Sequence, residues 1–416
     1  MSQLRDKISS GLGCIFEWYD FALYGFFAPV FARLYFPNDS TTIGFIKTLG
    51  VFAVGFFARP IGALIFGYIS DRYGRASCLK VTPLLITIPT FCIAILPTYQ
   101  QIGVFAPLFL MLTRILQGLC IGGEFSNNII YFCETSSIQR RYFFGSIGAF
   151  TGSIGILLAS YIASLSYFIF HEEALLSYGW RIGFGISAIL GLGIYFMRRN
   201  LDETIVYKKL RLETNISKNP LIESYQNQLG DYIKAIGLIY FPATAFYFIF
   251  MFIPNYLNSV STDNAGKILG DNSVSLLSRL LIIPIIGIIA DQWSGIKMAR
   301  LSCFLFLLLS IPLFYLLIHD SSKALFCLIA FGLLSTLNSA TTPGLLVTIL
   351  KPYTRSTIFS FTFNFCFGVF GGVVPTLGFL LIKWTGNPEA PVYYLLFAAM
   401  ITLITTFYIN QETRYE

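Results

Sequence analysis

Residues 56–75 read Phe56-Phe-Ala-Arg59-Pro-Ile-Gly62-Ala-Leu-Ile-Phe66-Gly67-Tyr-Ile-Ser-Asp71-Arg72-Tyr-Gly74-Arg75. They form the end of an apolar run that begins near residue 44, followed at once by a short loop rich in charge. A helical run of about 20 apolar residues spans the roughly 30 Å hydrocarbon layer of a bilayer. An apolar run that stops at a charged loop therefore predicts a helix that crosses a membrane and ends at its surface.

The composition of the whole chain also indicates that the protein lies in lipid. Of its 416 residues, 55% are hydrophobic and only 12% are charged, whereas soluble domains carry about 25% charged residues. One globule cannot bury so much apolar surface, so part of it must face lipid. The net charge of +7 does not indicate nucleic-acid binding, because the basic residues are dispersed between apolar runs rather than clustered in one patch.

Apolar runs recur along the chain, separated by short polar segments. Each run must be helical, because lipid cannot satisfy the hydrogen bonds of an exposed backbone. We therefore predict an all-α polytopic membrane protein with twelve transmembrane helices. The predicted spans are residues 10–35, 44–69, 79–97, 104–131, 143–168, 182–198, 232–258, 272–290, 300–318, 324–349, 357–382 and 392–410.

The longest polar segment divides these helices six and six. This division predicts two pseudo-symmetric halves, residues 1–197 and 232–416, with a path between them and residues 198–231 as a cytoplasmic linker. The orientation follows from the basic residues, since about 19 of the 28 lie on the side that carries both termini, as in cytoplasmic loops. Both termini are therefore predicted to be cytoplasmic.

Several chemistries find no support in the residues. The two histidines, His171 and His319, fall in predicted outer loops, and the eight cysteines form no CxxC pair. This pattern argues against a metal site and against a histidine proton relay. The chain has no GxxxxGK[ST] motif for a nucleotide and no recognisable nucleophile–base pair. We therefore expect no metal, no cofactor and no enzymatic activity.

The first predicted helix carries two carboxylates, Glu17 and Asp20, within an apolar run. Three residues apart, they lie near one face of the helix. An ionised carboxylate inside the bilayer costs roughly 2.5 kcal/mol or more unless it meets a partner or water. The two acids therefore predict a polar cavity inside the bundle. The alternative is a buried pair that only fixes helix packing.

The fourth predicted helix carries Arg114, Gln117 and Glu124. Arg114 lies roughly 15 Å from the outer end of the helix, at 1.5 Å per residue, and an arginine at that depth requires an anion. Asp20, at matching depth, is the best candidate, although the pair could also be a static salt bridge. A carboxylate that is switched by a nearby arginine can load and release a proton. We therefore expect Asp20, Glu17, Glu124 and Arg114 to form a proton-coupling group.

In the second half, Arg279 is the one basic residue well inside a predicted span. It could bind the carboxylate of a ligand or extend outward to the membrane surface. Asn338 could line a cavity or make helix contacts only. The candidate ligand-binding residues are then Tyr24, Arg59, Arg114, Gln117, Arg279 and Asn338.

The loop Gly67-x-x-x-Asp71-Arg72-x-Gly74-Arg75 resembles the signature loop of the major facilitator superfamily, which lies between the second and third helices. The second half repeats the spacing as Gly287-x-x-x-Asp291-x-x-x-Gly295, without either arginine. The resemblance implies a conformational latch between the halves in the outward-facing state, weaker in the second half. The residues so assigned are Gly67, Asp71, Arg72, Gly74, Arg75 and Asp291.

Three further motifs are similar to those of the metabolite:H⁺ symporter family within this superfamily, which includes transporters of proline and betaine, α-ketoglutarate, citrate and shikimate. The motifs are Glu17-Trp-Tyr-Asp20-Phe with Tyr24-Gly25, Phe56-x-x-Arg59-Pro60-x-Gly62-Ala63, and Arg114-x-x-Gln117-Gly118-x-x-x-Gly122-Gly123-Glu124. The resemblance implies proton-coupled uptake of a small polar metabolite, such as an organic acid or a zwitterion. The expected mechanism is alternating access, with the proton gradient as the driving force.

The same resemblance implies a multi-pass protein of a bacterial inner membrane, whose partners are a small-molecule substrate and the lipid bilayer. We further expect a monomer. A proton-independent facilitator or an exporter of the same fold stays open as an alternative. A transport-fold sensor or receptor is a further alternative, although the chain ends at Glu416 without the coiled-coil tail of some osmosensory members.

Overall fold

A computed structural model describes residues 2–260 and 265–409. Within these ranges the chain is a bundle of helices without β-strands. The twelve helical units, several of them made of two segments, are α1 (Ser2–Phe26 and Ala28–Tyr35), α2 (Thr41–Tyr73), α3 (Arg75–Ile95), α4 (Phe105–Ile121 and Glu124–Glu134), α5 (Arg141–Ile169), α6 (Trp180–Arg198), α7 (Leu229–Tyr247 and Ile253–Val260), α8 (Ala265–Gln292), α9 (Gly295–His319), α10 (Ala324–Ser339 and Thr342–Ile349), α11 (Arg355–Phe365 and Val374–Thr385) and α12 (Ala390–Phe407). The predicted all-α architecture with twelve transmembrane helices is confirmed.

The helices are built for a lipid solvent. In the described part of the chain, 11 helical spans are long and apolar enough to cross a membrane. The remaining unit, α1, is less apolar, and its middle carries Glu17 and Asp20. Large apolar side chains such as Ile189 and Leu281 are 72% and 71% exposed on the outside of the bundle. Such exposure is the arrangement expected of a surface that lipid covers.

The two halves are related by their helix contacts. In the first half α1 packs on α5, α2 on α4 and α3 on α6, and in the second half α7 packs on α12, α8 on α10 and α9 on α10 and α12. The halves meet along α2 with α11 and along α5 with α8. Because α8 and α11 hold the places that α2 and α5 hold in the first half, the two interfaces are pseudo-symmetric. A path between the halves must therefore lie between these two interfaces.

Several helices are interrupted near the middle of the bundle. Interruptions and π turns in membrane helices often mark functional positions, because the freed backbone groups and side chains face a cavity. The breaks in α4 and α10 fall just before Glu124 and Thr342, and π turns occur in α7 at Phe248–Phe252 and in α11 at Cys366–Gly371.

The segment between the halves forms two short helices, Ile205–Leu212 and Pro220–Asn227. The first begins at a side-chain cap, in which the hydroxyl of Thr204 accepts a hydrogen bond from the amide of Tyr207 (3.1 Å). The sequence analysis placed Arg198 at the start of this linker. In the structure Arg198 is the last residue of α6 and is fully buried, because its guanidinium pairs with groups inside the first half.

Candidate functional site

A carboxylate joins the two halves at one end of the bundle, here called the latch end, where Asp71 and Asp291 lie. Asp71, near the end of α2, accepts hydrogen bonds from the backbone amides of Ser356 (3.1 Å) and Thr357 (2.8 Å). These amides lie in the first turn of α11, so Asp71 caps a helix of the opposite half. Gly67 permits this approach, because a Cβ there would lie only 2.7 Å from the Cα of Thr357.

Buried ion pairs complete this contact. Arg75 pairs with Asp71 (3.3 Å) and with Glu134 (3.2 Å), and Arg355 of α11 pairs with the other oxygen of Glu134 (2.7 Å). One carboxylate therefore joins an arginine of each half. The sequence analysis missed Glu134 and Arg355, because it treated charges at the ends of spans only as topology signals. The available signal was an acid at the end of one span opposite a base at the start of another.

Asp291 makes the equivalent contact at the second interface. Its carboxylate accepts hydrogen bonds from the backbone amides of Tyr142 (2.8 Å) and Phe143 (3.1 Å), in the first turn of α5. Each half therefore uses an aspartate at the end of a helix to cap a helix of the other half. The internal repeat in the sequence, Gly-x-x-x-Asp, corresponds to a repeated contact in the structure.

Two other residues of the signature loop face the linker. Arg72 donates to the carbonyl of Ser217 (3.1 Å). Gly74 has a φ of 111°, which favours glycine, and a Cβ there would meet the carboxylate of Glu203. That carboxylate accepts from the amide of Ala76 (3.2 Å), and burial raises the pKa of Glu203. Arg72 and Gly74 therefore lie beside the linker rather than between the halves.

A buried hydrogen-bond network surrounds Asp20 in the first half. Gln117 donates to one oxygen of Asp20 (2.7 Å) and Ser187 donates to the other (3.0 Å). Arg114 donates to the amide oxygen of the same glutamine (2.6 Å), and its guanidinium lies 4.4 Å from the ring centre of Tyr24. The expected direct contact between Arg114 and Asp20 is not made, because Gln117 stands between them.

Glu124 lies in a second buried network, closer to the latch end. Arg198 donates to one of its oxygens (2.7 Å), Asn128 donates to the same oxygen (2.8 Å), and Thr82 donates to the other. Arg198 also donates to the backbone carbonyl of Ser9 (3.1 Å). Glu124 is therefore held in a fully buried ion pair, whose partner the sequence analysis had assigned to the linker.

Glu17 and Arg59 are buried with only part of their polar atoms partnered. Among the described residues, Oε2 of Glu17 and Nε and Nη2 of Arg59 have no hydrogen-bond partner. The guanidinium of Arg59 lies 4.2 Å from the ring centre of Phe21 and 5.0 Å from that of Phe56. It is thus stabilised by aromatic faces while its hydrogen-bond donors stay unused.

A central cavity lies between the two halves. Both halves contribute to its wall, which is mostly apolar and rich in aromatic rings. The residues that line it are Trp18, Phe125, Gly148, Ala149, Gly152, Ser153, Ile156, Ile239, Pro242, Phe246, Arg279, Ser339, Thr342, Pro343, Leu346, Phe359, Phe363 and Phe367. Among the described residues, Arg279 is the one charged residue in this wall.

Arg279 is presented to the cavity by its neighbours. It donates to the hydroxyl of Ser339 (3.2 Å), and its guanidinium lies 5.5 Å from the ring centres of Phe246 and Phe250. Its Nε has no hydrogen-bond partner in the described residues. The guanidinium is therefore buried but retains an unused donor at Nε, which is the state expected of a group that awaits an anion.

The other predicted ligand-binding residues are not in the cavity wall. Tyr24, Arg114 and Gln117 belong to the network around Asp20, and the guanidinium of Arg59 lies 6.0 Å from the ring centre of Trp18. The amide oxygen of Asn338 accepts from Thr342 (2.7 Å) inside the second half. The sequence analysis missed the aromatic residues of the wall, since a phenylalanine in a transmembrane helix carries no sign of the side it faces.

Comparisons with known proteins agree with this architecture. The family model described as Major Facilitator Superfamily matches residues 11–376. The chain is 31% identical to the "Putative proline/betaine transporter" of Staphylococcus aureus (strain COL), over 98% of this chain and 88% of that protein. It is 28% identical to the "Glycine betaine/proline/ectoine/pipecolic acid transporter OusA" of Dickeya dadantii (strain 3937), over 98% and 84%. It is also 28% identical to the "Proline/betaine transporter" of Escherichia coli (strain K12), over 97% and 83%.

Solved structures share the fold at low sequence identity. The proton:xylose symporter XylE bound to 6-bromo-6-deoxy-D-glucose superposes with a TM-score of 0.75 at 14% identity, over 98% of this chain and 95% of that one. The transporter FucP in its outward conformation gives a TM-score of 0.68 at 15% identity, over 97% and 98%.

These findings confirm the predicted family resemblance. They also confirm that the chain is not an enzyme, because its relatives are named as transporters. The chain belongs to the major facilitator superfamily and is a multi-pass membrane transporter of small metabolites.

Proposed function

We propose that this transporter carries out proton-coupled uptake of a small zwitterion with a carboxylate, of the proline/betaine type, by alternating access. The observation that carries the proposal is the central cavity, where Arg279 of the second half faces aromatic rings from both halves. The names of the relatives, which are transporters of proline, betaine and similar zwitterions, support the same class of substrate.

The cavity chemistry favours a ligand with one negative and one positive group. A guanidinium with free donors binds a carboxylate through charge-assisted hydrogen bonds. The faces of Trp18, Phe246 and Phe363 suit an ammonium group, because aromatic rings attract cations by about 0.5–2 kcal/mol each when water is excluded. No acidic residue in the described part of the chain lines the cavity, so the positive group of the ligand meets rings rather than a carboxylate.

The buried acids of the first half support coupling to protons. Asp20, Glu17 and Glu124 are all buried within the helical bundle, where carboxylates typically mark ion or proton pathways. Protonation of one of these acids would change the charge balance inside the bundle and thereby the affinity of the cavity for an anionic group. Gln117, which contacts both Asp20 and Arg114, holds these two charged groups in fixed positions.

The orientation follows from the distribution of basic residues. The latch end and both termini are assigned to the cytoplasm, and the protein to a bacterial inner membrane, where it would act as a monomer. In the structure the contacts of Asp71, Glu134 and Asp291 hold the latch end together. Breaking and remaking these contacts is the conformational step that alternating access requires.

A thermal-shift panel on purified protein tests the substrate class. Ligands that bind the native state raise the melting temperature, so glycine betaine and proline should raise it, while xylose and citrate should not. If only di- and tricarboxylates raised it, the zwitterion assignment would be wrong. Counterflow with and without a proton gradient then distinguishes a symporter from a proton-independent facilitator or an exporter of the same fold.

A further inference from the structure

We propose that Glu17 is the carboxyl group that carries the transported proton, and that Arg59 and Trp18 connect its charge state to the central cavity. Asp20 and Glu124 are then fixed charges that position their neighbours. The inference rests on the proposed proton-coupled transport and names the group that performs the coupling.

The three buried acids of the first half differ in how their oxygens are satisfied. Both oxygens of Asp20 accept hydrogen bonds, from Gln117 and Ser187. Both oxygens of Glu124 accept as well, and one of them is in an ion pair with Arg198 at 2.7 Å. Glu17 is 1% exposed, yet its Oε2 has no hydrogen-bond partner among the described residues. Only one of the three acids is therefore left incompletely bonded.

This difference decides which acid can change its charge at low cost. Hydrogen bonds donated to a carboxylate favour its ionised form. A proton on Glu124 would replace acceptor contacts and leave the buried guanidinium of Arg198 without its counter-charge, which is strongly unfavourable. A proton on Asp20 would disturb the donors that now point at both of its oxygens. Glu17 has fewer contacts to lose, so its two charge states differ less in hydrogen bonding.

The charged groups around Glu17 make it sensitive to the ligand. The charged groups around it are Arg59 of α2, Glu124 of α4 and Arg198 of α6, and the backbone of Phe125 also interacts with its carboxylate. Because Arg198 and Glu124 already neutralise each other, Arg59 is the cation that responds when Glu17 gains or loses a proton.

Trp18 and Arg59 link this pair to the ligand cavity. Trp18 follows Glu17 directly in α1 and lines the cavity. The guanidinium of Arg59 lies 6.0 Å from the centre of the Trp18 ring, with Nε and Nη2 unpartnered. The buried indole Nε1 of Trp18 is also unpartnered in the described residues. Because Trp18 belongs to the cavity wall and Arg59 lies close to it, a carboxylate of the ligand can influence these unused donors.

Coupling follows from the charge balance of the pair. When Glu17 takes a proton from hydronium of the outer aqueous phase, an O–H bond of hydronium breaks, an O–H bond of the carboxyl group forms, and the negative charge near Arg59 is lost. The added positive potential then favours a ligand carboxylate in the adjacent cavity. When the cavity opens to the cytoplasm, Glu17 releases the proton, Arg59 regains its counter-ion, and the ligand carboxylate is held less strongly. One proton and one ligand thus move together.

The test uses the full chain in proteoliposomes loaded with a pH-sensitive dye. Glu17→Gln, Glu17→Asp, Asp20→Asn and Glu124→Gln are compared with the wild type for counterflow of labelled glycine betaine, accumulation driven by an imposed pH gradient, and proton entry on substrate addition. We expect Glu17→Gln to lose accumulation and substrate-induced proton entry while it still exchanges substrate. Glu17→Asp should recover both, because it restores an ionisable carboxyl group.

The outcomes separate this inference from the proposed function. If Glu17→Gln kept substrate-induced proton entry, or if Asp20→Asn alone produced the uncoupled behaviour, Glu17 would not be the proton carrier although symport would stand. If the wild type moved glycine betaine and proline without protons, the proposed function itself would fail. The melting temperature of each variant is measured alongside, so that an unfolded variant is not mistaken for an uncoupled one.

Discussion

The carboxylate of Asp71 in the first half accepts a 2.8 Å hydrogen bond from the backbone amide of Thr357 in the second half. The amide of Ser356 donates to the other oxygen of the same carboxylate (3.1 Å). A charged cap on a helix of the opposite half joins the two halves at the latch end, because the carboxylate interacts favourably with the positive end of that helix. The contact of Asp291 with Tyr142 repeats the arrangement at the other interface.

Hydrogen–deuterium exchange should resolve the two caps separately. Asp71→Asn removes the charge from one cap, at a cost of about 0.5–2 kcal/mol, so the amides at the start of α11 should exchange faster. The start of α5 should change less. Asp291→Asn is the matched control and should give the reverse pattern. Equal exchange in both segments for both variants would mean that the caps do not hold the interfaces.

Glu134→Gln should destabilise the protein strongly. Glu134 is the shared partner of two buried arginines, Arg75 and Arg355. Removing its negative charge leaves the positive charges of both arginines without a full counter-charge, which should lower the free energy of unfolding by about 3–5 kcal/mol. Unfolding of the purified protein in detergent measures the loss. Asp320→Asn is the control, because Asp320 pairs with Lys323 at an exposed site (3.1 Å) and its loss should be undetectable. Similar stability of the two variants would contradict the role of Glu134.

Arg279→Lys should weaken binding of the substrate. Lysine keeps the positive charge but lacks the planar fork of donors that binds a carboxylate. Loss of a hydrogen bond to a charged group costs about 1.5–3 kcal/mol, which corresponds to a Kd about tenfold higher or more. Titration calorimetry with glycine betaine measures the Kd of each variant. Arg300→Lys is the control, since Arg300 contacts Thr406 away from the cavity. An equal loss of affinity in this control would show that Arg279 does not bind the substrate.

Trp18→Leu should reduce affinity for the positive group of the ligand. The substitution keeps an apolar side chain but removes an aromatic face worth about 0.5–2 kcal/mol to a desolvated cation. The loss should be larger for glycine betaine than for a carboxylic acid without an ammonium group, measured by competition against labelled substrate. Trp384→Leu, at a 69% exposed position, is the control. Equal losses for both ligands would show that Trp18 acts only through packing.

The helices and their acids could be predicted from the sequence for a physical reason. Long apolar runs can be stable in lipid only as helices, so composition decides the class of fold. Acids in such runs are so costly that Glu17 and Asp20 had to face the interior, as both do in the structure. Depth along a helix also follows from residue number, which placed Arg114 and Asp20 near each other.

The partners of these residues could not be predicted in the same way. Depth does not give the rotation of a helix, so the position of Gln117 between Arg114 and Asp20 was not visible. Arg198 resembled a loop residue because it ends a span, yet it turns inward to Glu124. The wall of the cavity was hidden for a related reason, since phenylalanine is favoured on lipid-facing and cavity-facing surfaces alike.

The most direct test of the account adds glycine betaine or proline to proteoliposomes that contain the wild-type protein, with equal pH on both sides and a pH-sensitive dye inside. Symport predicts that the lumen acidifies when either substrate is added, in proportion to the labelled substrate that enters, and that a proton ionophore removes the acidification. Substrate entry without any acidification would contradict proton coupling, and the absence of entry for both compounds would contradict the assigned substrate class.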